Sequence, residues 1–244
     1  MRAVILAAGV GRRLGHDKPK ILLNFGGRTL LERHLAILAA LGVRDLVIGI
    51  GHEALAIERA LEALGQTDVS TIYNPDYEQG SIVTLWRVRA ALTAGGPVLL
   101  MDGDVLYDRR VLEPLAETHH ADCLLVDRAF EPGDEPVKVG VVDGAPTDFG
   151  KTIDPALDAY GESVGFFRLS ERTANTLVET AGRMIEEGGS ERPMEDAIAA
   201  VLRAASPPFG LEDVTGLPWI EIDFPEDVAR AETEILPKLV DEDG

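Results

Sequence analysis

The chain begins with an apolar run at residues 3–8 that breaks directly into a glycine-rich segment, Gly9-Val10-Gly11. Such a run followed by glycines is typical of a buried strand that ends in a tight turn, because glycine allows conformations and close approaches that other residues do not. Backbone N–H groups freed in such a turn can hold phosphate oxygens. This junction therefore predicts a buried strand with an anion-binding turn at its carboxyl end.

Apolar, strand-like segments alternate with amphipathic helices along the first half of the chain. Strands are predicted near residues 2–8, 45–50, 69–73 and 97–102, with helices near 29–41, 53–64, 81–94 and 109–118. The first helix opens with a capping box, Thr29-Leu30-Leu31-Glu32. Right-handed crossovers make such strands parallel and bring their carboxyl ends to one edge, where ligands bind in these sheets. We therefore expect Gly9, Asn74 and Asp104 at that edge of an α/β sandwich.

The second half of the chain is less regular. Strands are predicted at residues 137–142, 147–153 and 163–169, some of them antiparallel, and helices near 170–187 and 193–205. A short strand at 219–222 and a final helix opened by Pro225 follow. The turn-rich stretch 131–136 is interpreted as a surface loop, with a mobile flap as the alternative. We expect one domain, 1–244.

Charge is distributed very unevenly along the chain. The first 33 residues hold seven arginines and lysines and only two acids, whereas the whole chain has a net charge of −19. Arg13 offers a fork of donors and Lys20 a point charge, and Pro19 fixes the backbone before Lys20. A basic segment in an acidic protein indicates a small polyanion, of which a nucleoside triphosphate is the best candidate. The overall acidity argues against nucleic acid, whose binding depends on many basic residues.

Two common phosphate-binding motifs do not fit this glycine turn. The dinucleotide fingerprint needs its third glycine one place earlier than Gly15, and the second strand ends at Gly51 without an acid for a ribose. A P-loop is excluded because no Gly-Lys-Ser/Thr follows the glycines.

The segment Leu6-Ala7-Ala8-Gly9-x-Gly11-x-Arg13-Leu14 with Pro19-Lys20 resembles the signature of the nucleotidyltransferases that join a nucleoside monophosphate to a sugar phosphate or alcohol phosphate. The resemblance extends through Asp102-Gly103-Asp104 to Glu221-Ile222-Asp223. The layout is most similar to bacterial cytidylyltransferases acting on phosphocholine, inositol 1-phosphate or aminoethylphosphonate. It implies a Rossmann-like three-layer sandwich with a mixed, mostly parallel central sheet. It also implies a nucleotide-binding half, 1–120, and an acceptor-binding half, 121–244, that includes the C-terminal helices.

The resemblance also implies roles for particular residues. Asp104 and Asp223 each follow a predicted strand and would hold Mg²⁺, although an acid after a strand is also a common cap or turn residue. Arg13 and Lys20 would stabilise the α-phosphate and the departing pyrophosphate. Ser81 is equally explained as a helix cap. The implied nucleotide-binding residues are Leu6, Ala7, Ala8, Gly9, Gly11, Gly80, Ser81, Thr84 and Asp102.

The acceptor phosphate needs its own cation, and Lys151 is the residue that best matches the acceptor-binding lysine of the family. Arg128 and Glu162 are further acceptor-binding candidates, and Lys138 is a weaker one. A quaternary ammonium would favour an aromatic and acidic cage. Candidate walls for such a cage are Tyr160, Glu162, Phe166, Phe167 and Trp219. An inositol or sugar would instead need hydroxyl partners such as Asp127, Asp158 and Glu162.

Three other functions remain open from the sequence. A glycosyltransferase could use Asp102-x-Asp104 to hold a metal, but it would not need the glycine–arginine signature. A nucleotidyltransferase for sugar 1-phosphates or molybdopterin would share the N-terminal residues and differ in base and acceptor. A non-catalytic regulatory domain could keep the fold, but would not need Lys20, Asp104 and Asp223 together.

Composition is that of a soluble enzyme, with 45% hydrophobic residues and no stretch long enough to span a membrane. We read no export signal, and a cytoplasmic location is expected. Cys123 is the only cysteine and is expected to be buried in a strand. CTP and a small phosphorylated alcohol or phosphonate are the expected partners, and a homodimer is left open.

Overall fold

The computed structural model describes residues 1–15, 18–130, 133, 135–154, 156–157 and 159–240. Three residues of the stretch 131–136, namely 131, 132 and 134, lie outside the described residues, as does the candidate Asp158.

The first half alternates strands and helices in the order expected. Its elements are β1 (Arg2–Ala7), β2 (Asn24–Phe25), β3 (Arg28–Thr29), α1 (Leu30–Ala40), β4 (Asp45–Ile50), α2 (Ala54–Ala63), β5 (Ser70–Tyr73), α3 (Ser81–Arg87), α4 (Arg89–Leu92), β6 (Val98–Asp102), β7 (Val105–Tyr107) and α5 (Arg109–Glu117). The single helix predicted at 81–94 is two shorter ones that meet at Val88.

The second half contains longer antiparallel strands and two long helices. Its elements are β8 (Cys123–Asp127), β9 (Lys138–Val142), β10 (Ala145–Gly150), β11 (Ala159–Leu169), α6 (Glu171–Glu186), α7 (Met194–Ala204), β12 (Gly210–Asp213), β13 (Trp219–Glu221) and α8 (Pro225–Arg230). The short strands β2, β3, β7 and β12 are not predicted from the sequence.

Among the described residues, nine strands form one mixed sheet, whose main path runs β10-β9-β11-β6-β1-β4-β5, with β8 beside β11 and β12 beside β8. Strands β6, β1, β4 and β5 are mutually parallel, as predicted. Strand β11 is antiparallel to β6, β8 and β9. The predicted fold class, a mixed and mostly parallel sheet between two layers of helices, is confirmed.

Alternation along β1 shows why the sheet is covered on both faces. Successive side chains of a strand point to opposite sides. Ala3 and Ile5 belong to the apolar core shared with α1, α2 and α5, whereas Val4 belongs to the core shared with α3, α6 and α7. The N-terminal run is continuously apolar because the side chains on both faces of β1 pack into a hydrophobic core.

Helix α1 begins where the capping box predicts. The Thr29 hydroxyl accepts a hydrogen bond from the Glu32 N–H at 3.2 Å, and the Glu32 carboxylate accepts one from the Thr29 N–H at 2.7 Å. Cys123 is fully buried in β8, as expected. No helix in the described part of the chain is both long and apolar enough to cross a membrane.

Candidate active site

A cleft of about 430 Å³ opens at the edge of the sheet where the parallel strands β1 and β6 end. This is the edge at which the sequence predicts a ligand site. Most of the predicted site residues line the cleft: Leu6, Ala8, Gly9, Gly11, Arg13, Lys20, Ser81, Thr84, Asp102, Asp104, Lys151 and Asp223.

The glycine turn forms one wall of the cleft mainly through its backbone. Gly11 has φ 64° and ψ 35°, a left-handed conformation that favours glycine. At Gly9, an added Cβ would meet no protein atom within 4 Å, so the space beside it belongs to the cleft. After the turn, a single 3₁₀ turn at Arg12–Leu14 directs Arg13 to the cleft. This wall therefore leaves room for a ligand to approach the backbone closely, and Arg13 adds a positive charge beside it.

Lys20 links the two acids that sequence analysis predicts as metal ligands. Its Nζ donates to Asp104 Oδ2 at 2.8 Å and to Asp223 Oδ1 at 2.6 Å. Burial alone lowers the pKa of Lys20, but the two carboxylates outweigh burial and raise that pKa above its usual value. These three residues, far apart in the sequence, therefore form one ionic centre on the floor of the cleft.

A third acid, Glu221, completes this centre. One carboxylate oxygen from each of Asp104, Glu221 and Asp223 lies within 4.8 Å of the others. The Glu221 side chain lines the cleft. Desolvation by the surrounding protein raises the pKa of Glu221 well above its usual value, and the charges of Asp104 and Asp223 raise it further. Carboxylate oxygens together with substrate phosphates and water are what Mg²⁺ prefers, so these residues fit that metal.

Two further cations are joined by Glu135. Arg13 donates to Glu135 at 2.9 Å and to Asp223 at 3.0 Å, and Lys151 Nζ donates to Glu135 at 2.6 Å. The hydrogen bond from Lys151 is the main reason that the pKa of Glu135 is lowered, and Arg13 contributes to it. The exposed carboxylate of Glu135 thus holds the two cations on which phosphate binding would depend.

Two more carboxyl groups line the cleft near this centre. Burial, and then the charge of Asp104, raises the pKa of Asp102 well above its usual value. Burial also raises the pKa of Glu195, at the start of α7, and its Oε2 has no hydrogen-bond partner among the described residues. Gly165 leaves room for the Asp102 side chain, because a Cβ atom at position 165 would collide with the Asp102 carboxylate. The cleft is therefore rich in carboxyl groups beyond the three of the ionic centre.

The start of α3 contributes the remaining predicted nucleotide contacts. Gly80, not Ser81, occupies the N-cap, so capping does not explain Ser81. The Ser81 hydroxyl accepts a hydrogen bond from the Met194 N–H at 2.7 Å and lines the cleft. Thr84 accepts one from Asn74 at 2.9 Å. Gly80 packs behind the cleft, where an added Cβ would collide with the Arg192 carbonyl oxygen.

Comparison with protein families gives one match, which spans residues 3–179 and is described as the MobA-like NTP transferase domain. The chain belongs to this family. The matched region contains the glycine turn, Lys20, Asp104 and Lys151, whereas Glu221 and Asp223 lie beyond it.

Among curated relatives, this NTP transferase domain is 30% identical to the CMP-5'-(3-aminopropyl)phosphonate synthase of Streptomyces rubellomurinus, over 97% of the chain and 39% of that protein. It is 28% identical to the bifunctional IPC transferase and DIPP synthase of Rubrobacter xylanophilus, over 96% of the chain and 52% of that protein. The chain therefore spans roughly two fifths to one half of the length of these relatives.

Solved structures share the fold of the domain. The inositol-1-phosphate CTP transferase from T. maritima has a TM-score of 0.74 at 21% identity and covers 98% of both chains. The CTP:phosphocholine cytidylyltransferase from Streptococcus pneumoniae has a TM-score of 0.77 at 20% identity. That match covers 95% of this chain and 97% of the chain of the cytidylyltransferase. At these identities the likeness establishes the fold alone.

A second cavity, of about 480 Å³, adjoins the cleft of the NTP transferase domain and shares Glu135, Glu221 and Asp223 with it. Glu162 and Trp219 line this second cavity. By contrast, Phe166 and Phe167 are buried in the core and are not available as walls.

Four predicted site residues do not line the main cleft: Glu162 lines the second cavity, and Arg128, Ala7 and Gly80 line neither of the two. Arg128 lines neither cavity; it stacks over Tyr160 at 4.8 Å and lies 3.9 Å from Asp213. Ala7 lines a small pocket of about 90 Å³ beneath Lys20, and Gly80 packs behind α3 as described. Three cleft residues are not among those predicted from the sequence: Glu135, Glu195 and Glu221. Glu221 is the one that the sequence could have indicated, because it lies two residues before the predicted metal ligand Asp223.

Proposed function

We propose that this domain is a Mg²⁺-dependent cytidylyltransferase that joins CMP to a small alcohol phosphate or phosphonate and releases pyrophosphate. The observation that carries the proposal is the ionic centre in which Lys20 contacts both Asp104 and Asp223 beside the glycine turn. A nucleoside triphosphate brings the negative charge that such cations attract, and the acids supply a place for a divalent ion.

The glycine turn and its cations form the proposed phosphate-binding wall. Backbone approach at Gly9 and Gly11, with the guanidinium of Arg13, suits the phosphates of a triphosphate. When these phosphates bind, Arg13 can exchange its contacts with Glu135 and Asp223 for contacts with the ligand. The ion pairs of the free protein thus hold the cations in place at the site.

The acids of the centre are the proposed metal ligands: Asp104, Glu221 and Asp223. A bound Mg²⁺ would neutralise negative charge on the phosphate oxygens, and it prefers the carboxylate oxygens found here. Because Lys20 sits between Asp104 and Asp223, it keeps the two acids together before a metal arrives. The same lysine then lies beside the phosphates, where it can stabilise the charge of the departing pyrophosphate.

The reaction needs no protein nucleophile. An acceptor phosphate or phosphonate oxygen attacks the α-phosphorus, and the bond from that phosphorus to the β-phosphate oxygen breaks with pyrophosphate as leaving group. Catalysis comes from bringing two anions together and from neutralising their charge. Lys151, which donates to Glu135 at 2.6 Å, is the proposed partner of the acceptor phosphate.

The second cavity supports an acceptor that carries a positive charge at its far end. Its walls include the aromatic side chains of Phe130, Trp219 and Phe224 and several acids. The Trp219 indole N–H donates to Asp127 at 2.9 Å and orients that carboxylate. Acidic and aromatic walls are suited to ammonium groups. A sugar or inositol phosphate, the alternative acceptor, has hydroxyl groups in place of the positive charge and would make weaker contacts with the aromatic walls.

The names of similar proteins also support CTP as the nucleotide. One curated relative is named as a CMP-phosphonate synthase, and two proteins of the same fold are named as CTP-dependent transferases. The relatives do not agree on the acceptor. We further propose that residues 1–120 serve mainly the nucleotide and residues 121–244 mainly the acceptor.

The proposal is tested by measuring pyrophosphate release with Mg²⁺ from CTP, UTP, GTP, ATP and dTTP. Each nucleotide is paired with phosphocholine, aminoethylphosphonate, inositol 1-phosphate and glucose 1-phosphate, with reactions lacking acceptor or containing EDTA as controls. We expect release with CTP and an ammonium-bearing acceptor. Release with UTP, dTTP or GTP and glucose 1-phosphate would assign the domain to sugar-nucleotide synthesis. Absence of release with every pair would contradict the proposed activity.

A further inference from the structure

A histidine is buried directly beneath the acidic turn that joins β6 to β7. His34 lies in α1 and has no exposed surface. Its Nε2 is 3.2 Å from the Gly103 carbonyl oxygen, and its Nδ1 is 3.2 Å from the Tyr107 hydroxyl. Gly103 is the residue between Asp102 and Asp104. The histidine therefore contacts the backbone of the turn that carries the proposed metal-ligating acid.

The two contacts fix the protonation of His34. A carbonyl oxygen can only accept, so Nε2 carries the hydrogen that bonds to Gly103. Nδ1 is then the acceptor, and the Tyr107 hydroxyl donates to it. Burial lowers the pKa of His34 to about 4, despite the opposing effects of Gly103 and Asp104. The imidazole is neutral near neutral pH, with one orientation that satisfies both nitrogens.

The Gly103 peptide is held from both sides. Its N–H donates to the Leu6 carbonyl oxygen at 3.0 Å, on the strand that leads to the glycine turn. Its carbonyl oxygen accepts from His34, and the next carbonyl oxygen, that of Asp104, accepts from the Ile222 N–H at 3.0 Å. Ile222 lies between the acids Glu221 and Asp223. One short hydrogen-bonded path thus connects His34 to the two segments that carry the three acids, the turn of Asp104 and the end of β13.

Aromatic packing also surrounds the His34 ring. The rings of His34 and Tyr107 lie 5.3 Å apart, and Tyr107 packs edge-to-face on Phe166 at 4.8 Å. Tyr107 belongs to β7, whose partner β13 places Glu221 opposite Val105. Movement of the histidine would therefore disturb the strand pair that positions Glu221.

We infer that His34 is a positioning residue for the metal centre, which holds the Gly103 peptide so that the Asp104 carboxylate faces Glu221 and Asp223. The inference rests on the metal role proposed above for these three acids. Outer groups that orient metal ligands typically change metal affinity by about 10-fold to 100-fold when they are removed. His34 never touches substrate, so its effect should appear in metal binding.

The chain allows a matched pair of variants. In His34→Gln, the amide N–H₂ lies near the position of Nε2 and can still donate to Gly103. In His34→Asn, the shorter amide lies near Nδ1, so it can reach Tyr107 but not Gly103. Both variants replace a buried ring by an amide, and they differ mainly in the contact that the inference requires.

The test measures binding of Mn²⁺ alone by electron paramagnetic resonance, with the melting temperature of each variant measured in parallel. We expect His34→Asn to bind Mn²⁺ about tenfold more weakly than His34→Gln, and His34→Gln to stay close to the wild type. Equal Mn²⁺ affinity in the wild type and both variants, together with lowered melting temperatures, would leave His34 a purely structural role and overturn the inference.

A third variant covers the case in which His34→Asn does not fold. Tyr107→Phe keeps the ring packing but removes the hydroxyl that donates to Nδ1, so the imidazole loses its fixed orientation. We expect this variant to lose Mn²⁺ affinity severalfold, and an unchanged affinity would overturn the inference. Because no nucleotide is present, absence of turnover would contradict the proposed function without affecting this test. A wild type that fails to bind Mn²⁺ would remove the proposed metal role itself.

Discussion

The two walls of the cleft are built by different means. The wall formed by residues 6–13 and Lys20 relies on glycine backbone and on the cations Arg13 and Lys20. The facing wall relies on carboxylates, chiefly Asp104, Glu221 and Asp223, placed by β6, β7 and β13. In the free protein the two walls neutralise each other through direct ion pairs.

This difference indicates which part of the proposed reaction each wall would control. Phosphates are common to all nucleoside triphosphates, so a wall that binds them through backbone and cations can serve many reactions without change. The acidic wall continues into the second cavity, where side chains such as Asp127 and Glu162 differ in chemistry from those of the glycine turn. We infer that acceptor choice depends on the second wall, and the following predictions separate the two.

Lys20→Ala is expected to have the largest effect, because Lys20 belongs to one wall and contacts the other. Losing the cation beside the phosphates should lower kcat/KM by about 10³-fold, the scale seen when a stabilising donor or cation is removed. Steady-state pyrophosphate release measures the effect. Lys18→Ala is the matched control, since Lys18 is exposed nearby and does not line the cleft. Comparable activity in both variants would separate Lys20 from the chemistry.

Asp223→Asn tests the acidic wall and is expected to lower activity by about 10²-fold at fixed Mg²⁺. The loss of a charged oxygen should also raise the Mg²⁺ concentration needed for half-maximal activity. Titration of the reaction with Mg²⁺ measures both effects. Glu226→Gln, an exposed acid in the following helix, serves as control. An unchanged Mg²⁺ dependence in Asp223→Asn would assign that acid to a structural role.

Lys151→Ala tests whether the acceptor side can be altered without affecting the nucleotide. We expect KM for the acceptor to rise about tenfold, the scale of one charge-assisted contact, while KM for CTP changes little. Arg128→Ala is the comparison, because Arg128 lines neither cavity and should leave both constants near those of the wild type. A larger effect for Arg128 than for Lys151 would reverse the assignment of the acceptor cation.

Glu162→Gln is expected to have the smallest effect, on the pH dependence of stability. Burial, and then the charge of Asp127, raises the pKa of Glu162 from 4.5 to about 7. The folded state therefore holds this proton more tightly than the unfolded state, so its contribution to stability is lost as pH rises from about 4.5 to 7.

The melting temperature of the wild type should fall across this range by about 2 °C more than that of Glu162→Gln. Glu221, Asp102 and Glu195 have raised pKa values that act in the same direction in both proteins, so they cancel in the comparison. Differential scanning calorimetry at about pH 5 and about pH 8 measures the difference. Identical pH profiles would show that the Glu162 carboxyl does not retain its proton in the folded state.

Local sequence signals predicted much of the fold. The apolar run and glycines at residues 3–11 identify β1 and its turn, and Thr29 with Glu32 identifies the start of α1. These features depend on residues close together in the chain. The strand β12 is not predicted because it is only four residues long, too short to show a clear alternation of apolar and polar residues. Its pairing with β8 also joins segments about 90 residues apart in the chain.

The site was predicted in part for the same reason. Lys20, Asp104 and Asp223 each follow a recognisable local feature, although their contact joins distant segments. Glu135 follows no such feature, and its role depends on contact with Arg13 and Lys151 in the folded chain. Phe166 and Phe167 had the right chemistry for an acceptor cage, but packing of β11 places them in the core.

The central claim is that the cleft joins the α-phosphate of a nucleotide to an acceptor phosphate. The most direct measurement follows ³²P from CTP labelled at the α-phosphate, incubated with Mg²⁺ and phosphocholine or aminoethylphosphonate. The account predicts that the label appears in a new compound containing both CMP and the acceptor, in amounts equal to the pyrophosphate released. Label recovered only in free CMP or in unreacted CTP, with either acceptor, would contradict it.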